Sequence, residues 1–110
     1  TLDLNFSGCT ELTKVDELGR GLVFLVSLTS LEMNYFGCTS LRSVDDIGSG
    51  LALTTSLCVL KLELFGCSGL KTVDELQRGI AKLQERKELS TLDVNGAGCS
   101  GLAAPLSVHS

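Results

Sequence analysis

Residues 62–70 read Leu-Glu-Leu-Phe-Gly-Cys-Ser-Gly-Leu, and variants of this phrase recur along the whole chain. The other copies lie at residues 4–12, 33–41 and 94–102. Each copy contains one cysteine at the same place, namely Cys9, Cys38, Cys67 and Cys99. The interval is 29 residues from Cys9 to Cys38 and from Cys38 to Cys67, and 32 from Cys67 to Cys99. A fixed period of about 20 to 50 residues indicates a solenoid, in which successive coils of chain stack on one another.

Apolar and polar residues alternate in the segment that leads to each of these cysteines. Before Cys67, for example, Leu60, Leu62 and Leu64 are separated by single polar residues. This period of two predicts a β-strand with one buried face. Gly96 breaks the pattern in the last copy. Stacked coils would place one apolar residue of each strand in a common row, which comprises Leu4, Met33, Leu62 and Val94.

The polar places of the four predicted strands form two columns. The first column comprises Asp3, Glu32, Lys61 and Asp93. The second column comprises Asn5, Asn34, Glu63 and Asn95. In a stacked array both columns lie on the same face of the sheet, which is therefore mildly acidic. Two interpretations stay open, a docking surface for a basic or polar partner and an ordinary solvated face.

Each of the first three copies is followed by a return leg that starts with an acidic pair, at Asp16-Glu17, Asp45-Asp46 and Asp74-Glu75. An aspartate at a helix start can cap backbone amides, and acidic residues favour the positive end of the helix dipole. The pairs Ser43–Asp46 and Thr72–Glu75 resemble capping boxes. The first two legs contain two glycines each, which cost about 1 kcal/mol apiece in a helix. We expect a short helix or 3₁₀ turns in these legs.

The third return leg, residues 74–89, contains a single glycine and places Leu76, Ile80 and Leu83 at helical spacing. This pattern predicts an amphipathic helix. The leg is three residues longer than the others, which explains the longer last interval. Beyond residue 102 the pattern fails, because Pro105 stands where a column of valines would continue and proline cannot donate to a sheet.

The spacing Leu-x-x-Leu-x-Leu-x-Leu-x-x-Cys-x-x-Leu resembles the leucine-rich repeat. It is carried by Leu28, Leu31, Met33, Tyr35, Cys38 and Leu41, and again by Leu57, Leu60, Leu62, Leu64, Cys67 and Leu70. The phrase looks like the repeats of plant intracellular immune receptors. Its cysteine, at the place of the family's asparagine, is similar to that in the cysteine-containing repeats of F-box proteins. The resemblance covers nearly all of residues 1–102.

This resemblance implies an α/β fold, a leucine-rich-repeat solenoid. A curved parallel sheet of about four strands would form the concave side, with short helical or irregular return legs on the convex side. Each cysteine would turn the chain out of its strand and satisfy backbone groups inside the bend. The array would span residues 1–102, with repeats at about 1–29, 30–58 and 59–90 and a partial repeat at 91–102. Residues 103–110 would form a tail or partial cap.

Five cysteines in a short chain raise the question of disulfides. Four of them share one repeat place and only Cys58 stands elsewhere, so we interpret them as small, reduced, buried side chains. This interpretation favours a reducing compartment, such as the cytoplasm, the nucleus or an organelle stroma. Neighbouring members of the column could still be close enough to bridge if oxidised. A zinc site is not expected, because the chain has no Cys-x-x-Cys pair and its one histidine is His109.

Charge and residue content argue against several other functions. The formal net charge of −4 disfavours nucleic acid and anionic membrane surfaces, which require a basic face. No apolar run reaches the length of about 18 residues that a membrane-spanning helix needs. His109 lies next to the last residue, and the Gly-x-Gly segments at 19–21 and 48–50 lack the context of a phosphate loop. The sequence therefore predicts neither an enzyme nor a cofactor or metal site.

We expect a non-catalytic protein-interaction module that binds a protein partner on the concave strand face. Two places before the cysteine, Phe36 and Phe65 are either an exposed aromatic pair that anchors the partner or core residues under the turn. The alternative function is a structural subunit, or a fragment of a larger repeat protein, that self-associates or docks through its open ends. The predicted binding residues are Asp3, Asn5, Glu32, Asn34, Phe36, Lys61, Glu63, Phe65, Asp93 and Asn95.

Overall fold

Five strands and two helices are seen in the computed structural model, which describes residues 2–13, 21, 28–54, 56–86, 89–102 and 106–109. The strands are β1 (Leu2–Asn5), β2 (Ser30–Asn34), β3 (Val59–Glu63), β4 (Thr91–Gly96) and β5 (Leu106–His109). The helices are α1 (Asp45–Ala52) and α2 (Asp74–Glu85). The acidic pair predicted to start the first return leg, Asp16-Glu17, lies outside the described residues.

Strands β1 to β4 pair in sequence order and in parallel, as the repeat predicts. Their register aligns Leu4 with Met33, Met33 with Leu62 and Leu62 with Val94. The predicted apolar row is therefore confirmed, and the polar columns are aligned in the same way. The described residues therefore form an α/β fold with four parallel strands and two helices. Strand β5 pairs antiparallel with β4, an addition that the sequence pattern does not predict.

The core lies between the sheet and the helices. In β2 and the residue after it, Leu31, Met33 and Tyr35 point inward and are buried, and the matching residues of β3 are buried as well. They form one apolar cluster with helix residues such as Ile47 and Leu76. The equivalent residues of β1 are only partly buried, because they belong to the first strand of the sheet. Leucine and methionine side chains of this kind each contribute about 1.5 to 3 kcal/mol when fully buried.

A tight turn ends each parallel strand. After β2, the Cys38 amide donates to the Tyr35 carbonyl at 3.1 Å, and Gly37 has a φ of +70°. A positive φ at the third residue defines a type II turn and explains why glycine stands there. The same glycine conformation recurs at Gly8, Gly66 and Gly98.

The cysteine thiols join successive turns. The Cys38, Cys67 and Cys99 thiols donate to the backbone carbonyls of Phe6, Tyr35 and Leu64, at 3.0, 3.0 and 3.1 Å. Each acceptor belongs to the preceding coil. Burial raises the pKa of the Cys67 thiol to about 12 and also raises the pKa values of the Cys38 and Cys99 thiols. All five cysteines are free thiols, and these three remain protonated donors at neutral pH.

The helices follow the predicted pattern with two corrections. Helix α2 buries Leu76, Ile80 and Leu83 as expected, but it ends at Glu85 rather than near residue 89. The predicted capping boxes do not form, since neither helix has a side-chain hydrogen bond at its N-cap. The Ser43 and Thr72 hydroxyls instead accept the Asp45 and Asp74 amides, at 3.2 and 3.3 Å.

Glycines allow the two helices to approach closely. The Gly48–Gly50 segment lies inside α1. A Cβ atom on Gly79 would overlap the Gly48 carbonyl oxygen, and one on Gly48 would overlap the Glu75 carbonyl oxygen. These residues weaken each helix by propensity, and in return they permit backbone contact between the helices.

We predict that Gly79→Ala destabilises the protein by about 1 to 3 kcal/mol, because the added methyl overpacks the contact between the helices. Helix propensity alone would make the same change stabilising by about 1 kcal/mol. Urea unfolding followed by circular dichroism measures the difference. Ser49→Ala, at an exposed position of α1, is the control and should change stability by less than about 0.5 kcal/mol. Equal or greater stability of Gly79→Ala would contradict the close contact.

Candidate functional site

The candidate site is the face of the sheet that points away from the core, called here the outward face. It is formed by both polar columns and by the phenylalanines in the turns that follow β2 and β3. Parallel pairing at successive strands is what brings residues about 30 positions apart in sequence into contact. All ten residues predicted to bind a partner belong to this face or to its turns.

The first polar column contains an ion pair. The Lys61 Nζ atom lies 3.5 Å from the Glu32 Oε1 atom, and both side chains are about half exposed. Asp93 is aligned with Lys61 on the next strand, and Asp3 with Glu32 on the preceding one. A surface ion pair contributes only about 0 to 1 kcal/mol. This column therefore sets the charge pattern of the face more than its stability.

The second polar column has a structural use that the sequence analysis missed. The Asn34 Oδ1 atom accepts the Phe36 amide at 2.8 Å, which is an Asx turn at the end of β2. The equivalent bonds in the other coils are Ser7 amide to Asn5 at 2.9 Å, Phe65 amide to Glu63 at 2.9 Å and Ala97 amide to Asn95 at 3.0 Å. One acceptor atom of each side chain is thus committed to its own turn. The sequence signal for these bonds is a polar residue two positions before the residue whose amide it accepts.

Phe36 and Phe65 form a stacked pair on the outward face. Their ring centroids are 5.2 Å apart with an interplanar angle of 10°, and the side chains are 47% and 41% exposed. This placement agrees with the exposed-pair interpretation and contradicts the alternative that they pack as core. The residues before them point the other way, and Tyr35 is fully buried and stacked on Phe6.

Hydrogen bonds order the backbone turns that contain the two phenylalanines. Each phenylalanine is the second residue of a type II turn, between a polar residue that binds its amide and a glycine with positive φ. The turns also continue the ladder between coils, because the Gly37 amide donates to the Phe65 carbonyl at 2.9 Å. The aromatic pair is therefore displayed on ordered backbone.

In the described part of the chain, no group of three or more His, Cys, Asp or Glu side chains is arranged to hold a metal ion. Neither of the described helices is long and apolar enough to cross a membrane. No protein-family model, no curated protein and no solved structure matches this chain. The candidate site is therefore identified from the structure of this chain alone.

We predict that Asn34→Ala lowers the free energy of unfolding by about 0.5 to 1.5 kcal/mol, because the Phe36 amide loses its side-chain acceptor. Asn34→Asp retains an acceptor oxygen and should recover most of this loss. Urea unfolding of both variants measures the difference, and hydrogen exchange of the Phe36 amide reports the turn directly. An unchanged exchange rate in Asn34→Ala would contradict the role of this side chain.

Proposed function

We propose that this chain is a leucine-rich-repeat solenoid that acts as a non-catalytic protein-interaction module. Its outward face would be the concave face of that fold, with the partner bound along the strands. The in-register parallel strands and the recurring turn with its glycine and cysteine support the repeat assignment. The leucine-rich-repeat assignment rests on the spacing of the residues and on the geometry of the strands and turns, so it does not require a match to a family model.

The observation that carries the binding proposal is the exposed Phe36–Phe65 pair. Aromatic side chains are prominent among the residues that dominate protein interfaces, since they bury a large area and lose little conformational freedom. Here the rings already restrict each other by stacking, and their turns are tied down by Asn34 and Glu63. The two phenylalanine side chains would therefore lose less conformational entropy when a partner covers them than freely rotating side chains would lose.

The polar residues around the pair would set the orientation of the partner. Glu32 and Lys61 present opposite charges side by side, with Asp3 and Asp93 at the flanks of the same column. Charges at the edge of an interface contribute mainly to specificity and association rate. Most residues of this column are acidic, so a partner surface with basic or polar groups opposite the column would be complementary to it.

The experiment is a pull-down with the purified chain as bait, comparing wild type with the Phe36→Ala, Phe65→Ala double variant. We expect recovery of the specific partner to fall at least tenfold, which corresponds to the loss of about 1.4 kcal/mol or more. Leu53→Ala is the matched control, because Leu53 is 62% exposed and follows α1, away from the outward face. Circular dichroism verifies folding. Unchanged recovery with the double variant would remove the anchor role.

A second function, assembly through the first strand, is favoured by the exposure of residues in and after that strand. Leu2, Leu4 and Phe6 are only partly buried, while their counterparts in β2 are covered. Cys9 is exposed, whereas the other three cysteines of its column donate to a preceding coil. Among the described strands β1 is the outermost of the parallel ones, and an outermost strand is of the kind that can pair with another strand.

Size-exclusion chromatography with light scattering tests this second function. If β1 docks against another chain, we expect a dimer or larger species at micromolar concentration. Alkylation of Cys9 should then be slower in the assembled fraction than in the diluted one. Leu4→Lys, at the exposed edge of the core, should dissociate the assembly. A stable monomer at all concentrations would contradict the self-assembly form of the proposal.

A further inference from the structure

A depression of about 330 Å³ lies between the turns that follow Cys38 and Cys67. It is lined by Thr39, Ser40, Arg42, Gly69 and Lys71. Its lining residues belong to the turns after the cysteines and include none of the residues that form the outward face. The proposed partner-binding role makes no use of these residues.

The side chains around the depression are hydrogen-bond donors without protein partners. Within the described ranges, the Thr39 and Ser40 hydroxyls make no hydrogen bond, and neither Arg42 nor Lys71 makes an ion pair. Arg42 and Lys71 are exposed, as is Thr39. By contrast, Lys61 and Arg78 each contact a glutamate. Four donor groups are therefore available at one place.

The two cations are neighbours because of the repeat. Arg42 stands four residues after Cys38, and Lys71 stands four residues after Cys67, so stacked coils place the two residues at matching positions. Like charges that share one depression repel each other, even in water. The chain is acidic overall, with a formal net charge of −4, and nevertheless keeps two positive charges together here. A bound anion would remove this repulsion.

Gly69 shapes the depression. A Cβ atom at this position would lie 2.6 Å from the Thr39 carbonyl oxygen and 2.9 Å from that of Leu41. Glycine therefore lets the two turns touch, and it contributes no side chain where Ser40 and Glu11 occur in the preceding coils. The close contact brings the donors of adjacent coils to one ligand-sized space.

We propose that this depression binds an oxyanion of the phosphate-monoester class. The guanidinium of Arg42 presents paired N–H donors that match two phosphate oxygens, and the ammonium of Lys71 supplies a second positive charge. The Thr39 and Ser40 hydroxyls can donate to the remaining oxygens. The site is independent of the outward face, so a phosphate ligand and a protein partner could be bound together.

The test is a titration of the full chain, labelled with ¹⁵N, with inorganic phosphate at constant ionic strength maintained with chloride. We expect saturable shifts of the backbone amide signals of Thr39, Ser40, Gly69 and Lys71. The Arg42→Gln, Lys71→Gln double variant should bind at least tenfold more weakly. Glu11→Gln removes a carboxylate from the adjacent coil and should strengthen binding. A titration with N-acetyl-phosphoserine amide in parallel distinguishes a phosphorylated peptide from free phosphate as the preferred source.

The matched control is Arg78→Gln, Lys82→Gln, which changes the net charge equally on the exposed side of α2. Its phosphate affinity should equal that of the wild type. An equal loss in both double variants, or shifts spread over all basic residues, would show general charge screening and overturn the site. Absence of any saturable shift with either ligand would overturn it as well. Unchanged amide signals elsewhere verify that each variant is folded.

Discussion

The turn at the end of each parallel strand is the constraint on which the rest of the structure depends. Its third residue adopts a φ of 70° to 76° in all four copies, which a glycine accommodates without strain. The cysteine that follows then places its thiol on a carbonyl of the coil before it, at 3.0 to 3.1 Å in three copies. Because every strand ends in the same geometry, the strands stay in register and the apolar row is continuous.

The same turn creates the candidate site. A strand directs successive side chains to opposite faces, so Tyr35 enters the core and Phe36 points outward. The two outward rings meet because the coils are in register, and they stay ordered because Asn34 and Glu63 bind the amides of their turns. The second polar column therefore belongs both to the turns and to the outward face, so a substitution there would affect the proposed binding as well as the fold. The exposed phenylalanines are the positions where a substitution would test the proposed binding with least effect on the fold.

The packing of the return legs follows a different rule. Helices α1 and α2 are brought together by Gly48 and Gly79, and larger residues there would force the backbones apart. Gly69 has the same effect on the turns, where it also opens the proposed anion site. Small residues at these contacts let successive return legs approach each other closely.

The sequence alone determined the period, the strand positions, the register and the buried face of α2, because these depend on the alternation and spacing of residues within one coil. It also identified the outward pair, Phe36 and Phe65, without deciding whether the rings are exposed. Only the tertiary structure decided that exposure, the use of Asn34 by its own turn, the helix contact at Gly48 and the antiparallel strand β5. The Asn34 turn is a local contact. Each of the other features depends on which backbone lies beside a residue in the neighbouring coil. That neighbour is about 30 positions away, and a local pattern does not specify how closely it approaches.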